Sequence, residues 1–174
     1  MNEKLESLLK DVSGQVVGIG IDNKKLVDTI SKNKKVTNLF LLENNSSKNR
    51  FSFIKGKVIT IKGLDKEFHK KRTDYLISHY EDIKPYLRHF IKNSIYITNK
   101  YIYIYGKYNK EQINSIINKY KRYNVEINID KYNSYFILKI VSSKAVNNYF
   151  KDKFYLFIDY MSDLLLILEE VLVK

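Results

Sequence analysis

The stretch Val16-Val17-Gly18-Ile19-Gly20-Ile21-Asp22-Asn23-Lys24 decides how the chain is read. A compact apolar run, Gln15 to Ile21, carries two glycines near its end and passes at once into Leu26, Val27 and Ile30 at helical spacing. Asp22 and Asn23 stand between the two. Both are residue types whose side chains satisfy the free N–H groups of a helix's first turn. The unit predicted is strand, tight turn, helix. Glycine suits such a turn because the backbone can approach a neighbouring group closely with no Cβ in between.

Working outward, the same alternation repeats. Leu5 to Val12 reads as a short helical lead-in, and Val36 to Leu42 as a fully buried strand that ends at Glu43. Asn44 to Lys55 is a polar loop, Lys57 to Ile61 a third strand, Asp65 to Lys71 at most two helical turns, and Asp74 to Ser78 a fourth strand. Pro85 opens a helix with Leu87, Phe90 and Ile91 facing inward. Tyr101 to Tyr105 alternates Tyr and Ile with period 2, a fifth strand closed by Gly106. Lys110 to Arg122 carries Ile113, Ile116, Ile117 and Tyr120 on one helical face. The pattern then changes. Val125 to Ile129 and Tyr135 to Val141 are separated only by Asp130-Lys131-Tyr132-Asn133-Ser134, which fits an antiparallel hairpin. Phe154, Phe157, Ile158, Met161, Leu165, Leu168 and Leu172 form the stripe of a long amphipathic C-terminal helix. The expected fold class is α/β: a Rossmann-like three-layer sandwich with a mainly parallel sheet of about seven strands, the antiparallel hairpin and the extra C-terminal helix.

With 174 residues the chain is expected to hold one domain at 14–142, a helical lead-in at 1–13 and a helical appendage at 143–174. A content of 44% hydrophobic and 29% charged residues excludes disordered and collagen-like classes. The absence of Cys removes disulfide frameworks, thiolate zinc sites, Fe–S clusters and a cysteine nucleophile together. Met1 to Ser13 lacks the apolar core of a secretory signal, and the most apolar stretch, Phe154 to Val173, is broken by Asp159, Asp163, Glu169 and Glu170. No transmembrane segment and a cytoplasmic location are expected. The same acidic face favours packing of the terminal helix on protein, including a homodimer formed through it.

The net charge of +12 points to a polyanionic partner, because Lys and Arg near phosphates release condensed counterions. Yet the Lys excess is spread along the whole chain and accompanied by abundant Asn, Ile and Tyr, as an AT-rich coding bias would produce. A solvated lysine-rich surface is the plainer reading. A nucleic-acid footprint would gather its charge on one face.

Strand-helix alternations closed by a hairpin, with a glycine-bearing turn after the first strand and an acid after the second, resemble the class I S-adenosylmethionine-dependent methyltransferase fold over residues 14–142. Val16 to Lys24 is similar to the family's first motif, the turn under the methionine part of the cofactor. The resemblance implies that Gly18, Gly20 and Asp22 bind S-adenosylmethionine, that Glu43 reaches a ribose hydroxyl, and that Asp65 lies near the adenine. It also implies a sheet in which the last strand inserts antiparallel between its neighbours. The chain departs from the pattern in having Gly18 where an acid is usual and Asp22 and Lys24 where further glycines are usual. After the fourth strand it reads Ser78-His79-Tyr80-Glu81-Asp82, unlike the Asn/Asp-Pro-Pro-aromatic motif of amino-group methyltransferases.

Read as chemistry, the rim of an open α/β sheet is where ligands bind, and His79 and Asp82 fall there. A His beside a carboxylate can act as a general base near neutral pH, so these two are the catalytic candidates. A polar loop ahead of Pro85 accounts for the same residues without catalysis. Asp65 is equally an N-cap and Glu43 equally a solvated strand-end acid. His69, His79 and His89 share no helical face, and with no Cys and no HExxH motif no metal site is expected. Three functions follow. The first is a small divergent S-adenosylmethionine-binding methyltransferase-like protein of unknown acceptor. The second is a catalytically inactive Rossmann-like scaffold or interaction module, and the third a basic nucleic-acid-binding domain.

Overall fold

A computed structural model of the chain describes residues 2–21, 24–42, 73–132, 134–144 and 161. Among these residues six strands form one sheet: β1 (Gly14–Ile19), β2 (Val36–Leu42), β3 (Thr73–His79), β4 (Thr98–Lys107), β5 (Glu126–Tyr132) and β6 (Tyr135–Val141). Their spatial order is β2-β1-β3-β4-β6-β5. β1 pairs parallel with both β2 and β3, β3 pairs parallel with β4, and β6 lies antiparallel between β4 and β5. The antiparallel insertion of this strand is the one the family resemblance implied. The expected strand at Lys57–Ile61, the turn at Asp65–Lys71, the loop before them and the C-terminal helix, Met161 apart, lie outside the described residues.

Helices cover both faces. α1 (Asn2–Lys10) and α2 (Lys24–Ser31) lie on one side, while α3 (Tyr80–Ile83), α4 (Leu87–Ile97) and α5 (Lys110–Lys121) lie on the other. Strand alternation sends Val17, Ile19, Leu76, Ile102 and Phe136 into the core under α4 and α5, and Val16, Tyr75, Ile77, Tyr103 and Ile137 into the core under α1 and α2. In the helices, burial follows the 3.6-residue period. Leu5 and Leu9 of α1, Leu26 and Ile30 of α2, and Ile113, Ile116 and Tyr120 of α5 are buried.

The structure shifts several boundaries. β4 runs ten residues, well beyond the Tyr101–Tyr105 run, because Thr98 pairs with Thr73 at one end and Lys107 with Tyr135 at the other. β5 extends through Tyr132 and tightens the hairpin, its Asp130 and Lys131 being tolerated because it is the outermost described strand at this end and largely exposed. β2 is not fully buried as expected. Only Leu42 is, and Thr37 and Asn38 are exposed, since β2 is the outermost described strand at the other end. Pro85 does not open the long helix. It sits in a 3-10 turn, Lys84–Tyr86, where its missing N–H is not required, and Leu87 begins α4.

Buried phenols give the fold an alkaline limit. Burial, with Tyr75, Tyr101 and Asp11 nearby, pushes the Tyr103 hydroxyl from 10.0 up to about 12. Burial likewise raises Tyr120, against the lowering effect of its bond with Ser94 at 2.8 Å. Both groups are neutral when folded and ionise more readily when unfolded, so the unfolded chain binds fewer protons above the ordinary tyrosine range. Stability present below about pH 10 is therefore lost as pH rises towards 12. Urea midpoints measured across that window are expected to fall, and Tyr103→Phe to fall less steeply. Equal slopes for the two proteins would contradict the assignment.

Candidate functional site

The site is built where β3 stops. His79 is its last residue, still extended at φ −83° and ψ 132°, and serves as the N-cap position of α3. Asp82 stands three residues on, a spacing that places the two side chains on the same face of the turn. His79 Nδ1 lies 2.9 Å from Asp82 Oδ2. Glu81 and Asp82 in the first turn also suit the positive end of the short helix. Both members of the pair are part-exposed, with 32% and 26% of their side-chain surfaces open to solvent. The bond therefore holds an oriented imidazole that a ligand can still reach.

Strand register supplies the floor. His79 pairs with Tyr105 of β4, and the two rings sit 5.3 Å apart, tilted by 42°. Tyr105 itself is buried. The neighbouring Tyr80 points away into the core, with its ring edge-on to Phe136 at 6.2 Å. Burial, and then Glu81, hold the Tyr80 hydroxyl above its ordinary value, so it stays protonated and is no base.

The other wall comes from β1. Gly20 follows it with φ +64°, a left-handed conformation that favours glycine, and its N–H donates to the Leu42 carbonyl at the end of β2, 2.9 Å away. A Cβ placed on Gly20 would overlap the Asp82 carboxyl group. The turn and the His79–Asp82 pair are thus in direct contact. The chain leaves β1 towards β2 on one side, while β3 lies on the other. That divergence is a topological switch point, the place where open α/β sheets form a ligand crevice beyond the carboxyl ends of their strands.

The sequence candidates separate accordingly. Gly20, His79 and Asp82 come together. Gly18 lies inside β1, with the Ile21 and Leu41 side chains filling the space above it. Asp22, Glu43 and Asp65 lie outside the described residues, Glu43 following directly on Leu42 in the chain. Sequence reading missed Tyr105 as the ring beneath His79. The Tyr-Ile alternation placed Tyr105 on one strand face, but only register with β3 reveals the contact. Among the described residues no group of three or more His, Asp or Glu side chains is arranged to hold a metal. No described helix is long and apolar enough to cross a membrane.

No family model and no curated protein sequence matches the chain. Solved structures do match in fold. One is TrmK of M. capricolum, solved with S-adenosyl-homocysteine: 14% identity, TM-score 0.52, covering 98% of this chain and 86% of that one. Another is a SAM-dependent methyltransferase from Archaeoglobus fulgidus, with 11% identity, TM-score 0.53 and coverage of 81% and 94%. A third is a SAM-dependent O-methyltransferase from Thermotoga maritima, with 12% identity, TM-score 0.53 and coverage of 84% and 65%. The chain has a divergent class I methyltransferase-like fold.

Proposed function

We propose that the chain binds S-adenosylmethionine beyond the carboxyl ends of β1 and β3, beside Gly20 and the His79–Asp82 pair, and passes its methyl group to an acceptor nucleophile. The observation carrying this reading is the meeting of the two at the switch point of a methyltransferase-like sheet. The donor set suits such a ligand. The Asp82 carboxylate complements the positive sulfonium and ammonium groups of the cofactor. Gly18 and Asp22 are assigned to the methionine end of the cofactor. Glu43 is assigned to the ribose hydroxyls and Asp65 to the adenine end.

Bound there, the cofactor supplies an electrophilic methyl carbon. The work of the chain is then orientation and proton handling. Asp82 accepts a hydrogen bond from His79 Nδ1–H, which leaves the ring's lone pair on Nε2. Nε2 is the atom that would take the acceptor's proton, with the thioether leaving as the carbon–sulfur bond breaks, and Asp82 would stabilise the resulting imidazolium. A titration calorimeter reads the first half of this proposal. S-adenosylmethionine and its demethylated product are expected to bind saturably, and Glu43→Ala to raise the dissociation constant about tenfold, as fits loss of a charge-assisted bond. At ~100 times that constant the ligand should add about 2.7 kcal/mol of stability. No heat and no thermal shift at millimolar ligand would remove the cofactor from this fold.

One observation favours a second reading, a binding module without catalysis. The spaces over Gly18 and Gly20 are filled by Ile21, Leu41 and Asp82, side chains of the chain itself. Glycines kept for internal packing need no ligand.

A further inference from the structure

The bond to Asp82 fixes one atom of the His79 ring and not the plane of that ring. The torsion that turns an imidazole about its Cβ–Cγ bond is broad and roughly two-fold, unlike the three narrow wells of an aliphatic chain. Pairing Nδ1 with Asp82 Oδ2 at 2.9 Å selects which edge of the ring faces the carboxylate. A ring tied at a single nitrogen still rocks about that contact. A group that is to take a proton must hold its direction to within about 10–20°, so the pair alone leaves the Nε2 lone pair under-determined.

A second contact meets the imidazole from the sheet. β3 and β4 run parallel with His79 opposite Tyr105, so the two side chains leave the same face. They end a row on that face, in which Tyr75 stands opposite Tyr101 and Ile77 opposite Tyr103. Tyr105 is 4% exposed and belongs to the core under α1 and α2, with β3 on one side of it and Ile137 of β6 on the other. Its ring is thus immobilised by packing, whereas the His79 side chain keeps 32% of its surface open. The centroids lie 5.3 Å apart with a tilt of 42°, inside the ~4.5–7 Å over which aromatic rings attract one another. The carboxylate chooses the edge, and the buried ring opposes rocking of the plane.

We infer that Tyr105 is a positioning residue for His79, its buried ring setting the plane of the imidazole so that Nε2 keeps one direction towards an acceptor. The inference rests on the proposed function for the use made of that nitrogen, and on the ring contact for the positioning itself. NMR relaxation of the imidazole C–H groups, in the full chain with no cofactor added, tests it. The His79 ring is expected to be as ordered as rigid backbone, with an order parameter of about 0.85, and Tyr105→Leu to lower it below about 0.6. Tyr105→Phe, which keeps the ring and drops the hydroxyl, is expected to restore the wild-type value. The exposed His89 serves as the internal reference and is expected to read the same in all three proteins. A His79 ring that stays ordered in Tyr105→Leu would show that Asp82 alone holds the plane, and would overturn the inference. So would an equal rise in His89 mobility, which marks general loosening, or a Tyr105→Phe protein that behaves like Tyr105→Leu, which assigns the role to the hydroxyl. A wild-type ring already below about 0.6 overturns it without any variant. Failure of S-adenosylmethionine to bind in the calorimeter would remove the proposed function and leave these relaxation results untouched, so the two failures are told apart.

Discussion

Gly20→Ala is expected to destabilise the fold by about 3 kcal/mol, from two separable costs. A non-glycine residue held at φ +64° carries roughly 1–2 kcal/mol of backbone strain. The added methyl would overlap the Asp82 carboxyl, and forcing such a group aside adds roughly 1–3 kcal/mol. A double-mutant cycle distinguishes them. Combined with Asp82→Ala the overlap with the carboxyl should go, while the strain and the contact with the Cβ of residue 82 at 2.7 Å remain, so chemical denaturation should give a coupling of about 1 kcal/mol between the sites. Additive effects would mean that Asp82 does not rest on Gly20. The same arrangement recurs at the other end of β1. Gly14, at φ +73°, has its Cβ space taken by Asp74, whose carboxylate also accepts from the Gln15 N–H at 3.0 Å and pairs with Lys100 at 3.2 Å.

Phe136→Ala is expected to cost about 3–5 kcal/mol, the usual range for a large aromatic removed from a closed core. Phe136 is fully buried on β6, the strand that joins β4 to β5. Its ring meets Tyr80 edge-on and approaches the bare Cα of Gly106, where a Cβ would come within 3.4 Å of it. The resulting cavity would therefore open between the hairpin and the short helix that carries Asp82. At about 2–4 °C per kcal/mol for a chain of this size, the melting temperature should fall by about 10 °C. Phe136→Leu should recover most of the loss. A fall of only a degree or two would show that the core closes over the missing ring.

Much of the architecture was legible because its signals are local. The apolar run ending at Gly20, the 3.6-residue stripe Ile113-Ile116-Tyr120 and the short link between the last two strands each lie within a dozen residues. What was not legible depends on partners distant in sequence. β4 is longer than its Tyr-Ile alternation because Thr73 and Tyr135 extend the ladder at its two ends. β2 reads as buried by composition, yet half-exposure follows from its place in the sheet. At the site, His79 and Asp82 could be nominated from their position after a strand, since an i, i+3 pair is local. That Asp82 would occupy the space over Gly20 could not. A sequence shows that a glycine makes room, and only the fold shows for which group.

The placement of β6 bears on how the chain is made. β4 has β3 on one edge as soon as both are synthesised, but its other edge waits for Tyr135–Val141, after α5 and β5 have left the ribosome. β5 cannot fill the gap, because its ladder is with β6. A chain released short, anywhere between Lys107 and Tyr135, thus presents a ten-residue strand, with Ile102 and Ile104 along it, as an open template for intermolecular pairing. The hairpin that closes the sheet is what removes the hazard.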